Sequence, residues 1–254
     1  MTPLLLTAAL LTQSPECINA NGRRLCGYDC KNANDTEAAC AQTPHGVCLI
    51  HLGRVVCFDP PLWLQAALAG PPPAPKCVTA GTQAACGYNC VSERGNVACA
   101  QTPAGACKSQ PDDAFICADP PPEVYGVFGS KTPAMSCITR GLVTACGYQC
   151  VDSGGAIGCT KTPFGVCDTQ LGAPLCLDPD KYVICAGGKN TQKPTCTSHG
   201  GRLGCGYNCV TVGSAVACSK TPRGSCDTQG GTPVCFDPPV RGGESRCLKV
   251  IGSE

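Results

Sequence analysis

Apolar residues fall in a few short runs along this 254-residue chain, separated by long stretches punctuated by cysteine. The first run, mostly apolar from Leu4 to Leu11, has the length of the hydrophobic region of a secretory signal. No Lys or Arg precedes it, however, and no clear A-x-A cleavage site follows. Residues 1–16 therefore read as a signal peptide or its remnant, with a plain apolar extension as the alternative. The second run, from Leu62 to Ala69, stands between Asp59-Pro60-Pro61 and Gly70-Pro71. An Asp as N-cap, Pro near the start and Gly-Pro past the end predict a short helix there. Weaker runs follow Asp119-Pro120 (Val124, Tyr125, Val127, Phe128) and Asp178-Pro179 (Tyr182, Val183, Ile184). A short helix and a Pro-rich extended connection both fit these two. None of the runs is long enough for a helix to cross a bilayer.

Between the runs the chain repeats. Cys17, Cys26, Cys30, Cys40, Cys48 and Cys57 form a first set, and Cys77, Cys86, Cys90, Cys99, Cys107 and Cys117 a second. Cys137, Cys146, Cys150, Cys159, Cys167 and Cys176 form a third, and Cys196, Cys205, Cys209, Cys218, Cys226 and Cys235 a fourth. Each unit reads C-x8-C-G-Y-x-C-x8/9-C-x-x-T-P-x-G-x-C-x8/9-C-x-D-P, a self-similarity too long and too regular for chance. The units divide the chain into 17–76, 77–136, 137–195 and 196–254, each a repeat with its connector or tail. The sixth cysteine of one unit always lies twenty positions before the first of the next. Equal lengths point to ordered connections, because free tethers tolerate drift.

Each unit is itself threefold. The first and second, third and fourth, and fifth and sixth cysteines are nine residues apart in most cases, with a Gly at the fourth or fifth position after the first cysteine. Asn21-Gly22, Leu52-Gly53, Gly141-Leu142 and Gly154-Gly155 are examples. The two ten-residue intervals lack that Gly and carry Asn34-Asp35 or Pro111-Asp112 instead. The spacing predicts β-hairpins with two-residue loops of positive φ. The cysteines then face each other at a non-hydrogen-bonded pair, with Cα atoms about 4.5 Å apart and within disulfide reach. Sequential pairing is favoured, although six cysteines allow fifteen connectivities and spacing alone leaves them open. The expected fold is small, disulfide-rich and mainly β: four tandem six-cysteine repeats of three short hairpins, with short, partly helical connectors. Cys185 and Cys247 are left over. They flank the fourth unit, and their pairing would return the C-terminal tail to the third connector and cap an open array. Intermolecular linkage is the alternative.

The segment from Cys86 to Pro121, CGYNCVSERGNVACAQTPAGAC…CADPP, resembles the cysteine-rich repeats of uncharacterised secreted proteins of myxobacteria-like bacteria. The resemblance covers residues 17–239 and rests on C-G-Y-x-C, T-P-x-G-x-C and C-x-D-P. It implies export and a repeat architecture and carries over no site.

Composition narrows the classes. Cysteine contributes 26 residues, an even number as full pairing requires, and a count that belongs to an oxidising compartment. Leu, Ile, Val and Phe make up just under a fifth of the chain, too few for one ordinary globular core of this length. A net charge of +1 removes the electrostatic case for nucleic acid or acidic lipid.

Candidate chemistry is thin. C-x3-C is not a zinc knuckle, and His45 and His51, which bracket Cys48, have no counterparts in the other units. No nucleophile elbow, H-E-x-x-H or phosphate loop is present, so no catalytic, metal or cofactor residues are expected. Asp59, Asp119, Asp178 and Asp237 always precede Pro, where capping or a turn accounts for them. Tyr28, Tyr88, Tyr148 and Tyr207 read as packed on disulfides, with a ligand-stacking platform as the alternative. In T-P-x-G the frame is constant while x is His45, Ala104, Phe164 or Arg223. A type I turn with Pro at i+1 and Gly at i+3 would point x at solvent as a possible partner-contact tip, although an exposed turn also accepts any residue. The expected protein is non-enzymatic, secreted or on the cell surface, and structural or binding in role, with a protein or glycan partner the sequence does not identify. A multi-headed inhibitor of secreted hydrolases is the alternative, and metal storage a third.

Overall fold

A computed structural model of the chain describes residues 14–34, 36–239 and 246–252. The run Leu4–Leu11 and Asp35 lie outside the described residues. Every unit has the same topology, a three-stranded antiparallel sheet followed by a separate two-stranded hairpin. In the second unit Lys76–Ala80, Gln83–Glu93 and Asn96–Ala100 form the sheet, and Ala106–Ser109 pairs with Phe115–Ala118.

All twelve framework bridges close sequentially, from Cys17–Cys26 to Cys226–Cys235. Cysteines face each other in register, as Cys77 faces Cys86 and Cys107 faces Cys117. Their Cα atoms are 3.9–4.1 Å apart, somewhat closer than an unbridged pair. The loops are of the predicted kind. φ is positive at both residues of Asn21-Gly22, Leu52-Gly53, Arg94-Gly95 and Leu171-Gly172, as a type I′ turn requires. In Gly81-Thr82 and Gly141-Leu142 only the Gly is positive, as in type II′.

The middle strand of each sheet carries a bulge that the spacing did not reveal. Tyr88 pairs with Ala100 and Val91 with Ala98, which leaves Asn89 as an extra residue with φ 45°. Asp29, Gln149 and Asn208 occupy the same place with φ 41–45°. The bulge brings the strands close at Gly87, where a Cβ would lie 2.6 Å from Ala100 O and 2.7 Å from Cys99 Cβ. The constant Gly of C-G-Y-x-C follows from that approach.

Among the described residues four short helices make up a second layer. They are α1 (Leu62–Leu68), α2 (Pro122–Phe128), α3 (Lys181–Gly187) and α4 (Arg246–Ile251). The second and third connectors are thus helical, each closing in a 3-10 turn, Gly129–Lys131 or Gly188–Asn190. Helix α2 packs against α1, α3 and α4. The buried apolar side chains concentrate here: Leu64, Ala67, Val124, Tyr125, Val183, Ile184 and Val250, with Phe58 and Tyr88 from the hairpins. The apolar runs are therefore the core of the molecule, shared across repeats.

One expectation is corrected and one is met. Asp59 does not cap α1, whose N-cap is Pro61 with no side-chain hydrogen bond. Asp59 lies two residues farther upstream, out of reach of the helix amides. Among the connector helices a carboxylate cap occurs at α3, where Asp180 accepts the Tyr182 N–H at 2.8 Å. Cys185 and Cys247 do pair, with Cα atoms 5.3 Å apart, which returns the tail to the third connector. It lays α4 against α2, and Cys247 passes so close to Gly126 that a Cβ there would meet the Cys247 backbone at 2.8 Å.

Candidate functional site

The T-P-x-G turn is where a constant frame holds a variable residue, and its geometry is determined by three constant parts. The turn closes with the Gly N–H donating to the Thr carbonyl at 3.0 Å in Thr43–Gly46 and Thr221–Gly224 and 3.1 Å in Thr102–Gly105. Beneath it lies the carboxylate of C-x-D-P. Asp119 accepts the Thr102 N–H at 2.7 Å, the Thr102 hydroxyl at 2.6 Å and the Gln101 N–H at 3.0 Å. Asp59 repeats the pattern with Gln42 and Thr43, Asp178 with Lys161 and Thr162, and Asp237 with Lys220 and Thr221. This turn role is the one the sequence left open for the aspartates. It also explains the turn Gly, because a Cβ on Gly46, Gly105, Gly165 or Gly224 would overlap the aspartate Oδ1.

Electrostatics follow the same contacts. Burial alone would raise the Asp237 pKa. The amides of Lys220 and Thr221, the Thr221 hydroxyl and the Lys220 charge together outweigh it and lower the pKa below its ordinary value.

The third part is the bulge residue, which the sequence reading passed over. Asn89 Nδ2 donates to Pro103 O at 2.9 Å and Gly105 O at 2.7 Å, and Asn208 Nδ2 donates to Pro222 O and Gly224 O. Gln149 reaches only Pro163 O, at 3.3 Å. Asp29, which has no N–H to give, accepts the Cys48 N–H at 2.6 Å instead. The available signal was a polar, αL-tolerant residue always preceding the third cysteine.

The four variable residues do not share one environment. Arg223 is exposed and His45 half-buried. Ala104 and Phe164 are 6% and 4% exposed, which overturns the solvent-pointing tip for these two. The cause is the helix layer. The Tyr125 hydroxyl of α2 accepts the Ala104 N–H at 2.8 Å, and Ala104 O accepts the Met135 N–H at 2.8 Å. Phe164 stacks on Phe128 at the end of α2, with ring centroids 5.5 Å apart and planes at 15°. The turns thus face connectors from within and beyond their own units.

The recurring tyrosines are tethers. Tyr88, Tyr148 and Tyr207 are buried and donate their hydroxyls to the preceding connector, at Pro73 O (3.0 Å), Pro133 O (2.7 Å) and Gln192 O (2.9 Å). Tyr88 also shares a cluster with Cys86 and meets the Phe58 ring edge-on at 5.8 Å. Burial raises all three phenols, that of Tyr207 to about 12, so each remains a neutral donor at physiological pH. Tyr28 is half-buried.

No group of three or more His, Cys, Asp or Glu suited to a metal occurs among the described residues, and every cysteine is in a disulfide. The chain matches no family model, no curated protein and no solved structure.

Proposed function

We propose that this protein is a non-enzymatic, exported structural or binding repeat protein, held rigid by its bridges and contacting a protein or glycan at the cell surface. One observation carries the reading. The constant Asp and Thr side chains and the polar bulge residue of each repeat are hydrogen-bonded within their own unit, and the Tyr of the last three units binds the preceding connector. Chemistry that could act on a substrate is thereby committed to holding shape. Thirteen disulfides agree with an oxidising compartment, and the resemblance to secreted repeat proteins points the same way. No helix among the described residues is long and apolar enough to cross a membrane. The inhibitor reading loses support, because two of its four contact tips are covered.

The test is fractionation of the producing cell followed by intact mass of the recovered chain. Recovery from the medium or cell surface, 26 hydrogens lighter than the reduced chain, is expected. Recovery from the cytosol with free thiols or bound metal would sink the proposal.

A further inference from the structure

The three junctions between units are built alike but filled differently. At the second, Phe128 at the end of α2 stacks on Phe164 of the following turn. The equivalent pair is Leu68 and Ala104 at the first junction and Gly187 and Arg223 at the third. A hollow of about 370 Å³ remains beside Leu68 and Ala104, walled on its far side by residues of the second connector, including Tyr125. At the third junction the cavity reaches about 580 Å³, and Pro238 and Pro239 are among the described residues that line it.

We propose that this third-junction crevice binds a small planar aromatic carboxylate. It is lined by the apolar Val183, Ala186, Pro222 and Pro238 and by polar groups of Thr191 and Gln192, and Arg223 is among its lining residues. Three observations determine the class. At the equivalent place one unit earlier two phenyl rings stack, so the space between connector helix and turn suits flat aromatic groups. The volume lies in the range of small-molecule sites. Arg223 is exposed and has no hydrogen-bond or ion-pair partner among the described residues, so its planar fork is free to take a carboxylate bidentately. The one acidic group of the adjoining turn, Asp237, is held by the Lys220 and Thr221 amides and does not compete. This site is independent of the role proposed for the molecule as a whole.

The experiment is calorimetric titration of the oxidised full chain with naphthalene-2-carboxylate and with its neutral counterpart, naphthalene-2-carboxamide. Saturable binding of the acid with Kd below about 1 mM is expected, about tenfold tighter than the amide. Arg223→Gln should bring the acid to the level of the amide and leave the amide unchanged. Arg223→Phe restores one ring of the stack, removes the cation and should end the preference for the acid over the amide. Gly187→Phe fills the crevice from the helix side and serves if the first variant does not fold. A Cβ there would lie 2.7 Å from Thr191 Oγ1, so that hydroxyl must turn aside, as Thr132 accommodates Phe128 in the equivalent place. Absence of saturation, equal affinity for acid and amide, or undiminished binding by a folded filling variant would overturn the proposal. So would a peptide ending in a free Phe carboxylate that binds about tenfold tighter than the naphthoate, because the site would then belong to a protein partner.

Discussion

The hairpin layer and the helix layer solve the same shortage of apolar residues in opposite ways. In the hairpins, partners are nine or ten residues apart, each bridge closes a loop the turn has already brought together, and few side chains are fully buried. In the helices the partners come from different units. Tyr125 of α2 is 1% exposed and contacts Trp63 of α1, while Val250 of α4 joins the cluster built around Leu64. One bridge, Cys185–Cys247, spans 62 residues to hold that cluster closed. Local covalent closure thus makes eight rigid sheets, and a small shared core orders them. The contrast shows why the repeats are not four independent domains on tethers.

The sharpest way to break the contrast is to cut one bridge from each layer. In the chain-entropy picture a 62-residue loop contributes about 4 kcal/mol and a nine-residue loop about 3 kcal/mol. The Cys185→Ala/Cys247→Ala variant should therefore lose about 4 kcal/mol. Amide exchange should rise throughout α1, α2 and α3. Cys90→Ala/Cys99→Ala should lose somewhat less, with faster exchange confined to its own sheet. If both variants loosen the same amides, the two layers are one cooperative unit and the contrast is wrong.

A smaller effect separates packing from covalent closure. Leu64 is fully buried in the helix cluster, and Leu64→Ala should cost about 3 kcal/mol in denaturant unfolding of the oxidised chain, within the usual span for a buried leucine. Hairpin signals should persist at denaturant concentrations where the helix signal has gone. A change below about 1 kcal/mol would mean that the helices are ordered by the bridges alone.

What could be read in advance divides along the same line. The hairpins with two-residue loops were legible, and sequential bridges favoured, because a nine-residue spacing with Gly at its centre suits a tight hairpin. The direction of the T-P-x-G residues was not, because it depends on helices from other parts of the chain. Ala104 is covered by Tyr125, twenty-one residues on, and Phe164 by Phe128 of the connector before it. Asp59 looked equally able to serve a turn behind it or a helix ahead. The consecutive prolines decide against the helix, since they offer no N–H and move the N-cap to Pro61. The bulge residue was hidden because a one-residue register shift leaves the cysteine spacing unchanged.

The smallest expected effect concerns Asp237, the turn brace of the last unit. Its folded pKa is lowered, below the roughly 3.9 of an unfolded Asp, so the native state binds fewer protons there than the unfolded chain does. Its contribution to stability is then fully present above about pH 4 and is lost as pH falls through the folded pKa. The carboxylate is half-exposed and on the rim, so solvent screening keeps the effect small and it should show only as slope. Unfolding of the oxidised chain between about pH 2 and 5 should depend less steeply on pH in Asp237→Asn than in the parent. The two should converge at the acid end, where the parent carboxyl is also neutral. A carboxyl NMR titration of Asp237 with a midpoint at or above about 4 would contradict the expected direction. The brace would then hold the turn by geometry alone, without the charge.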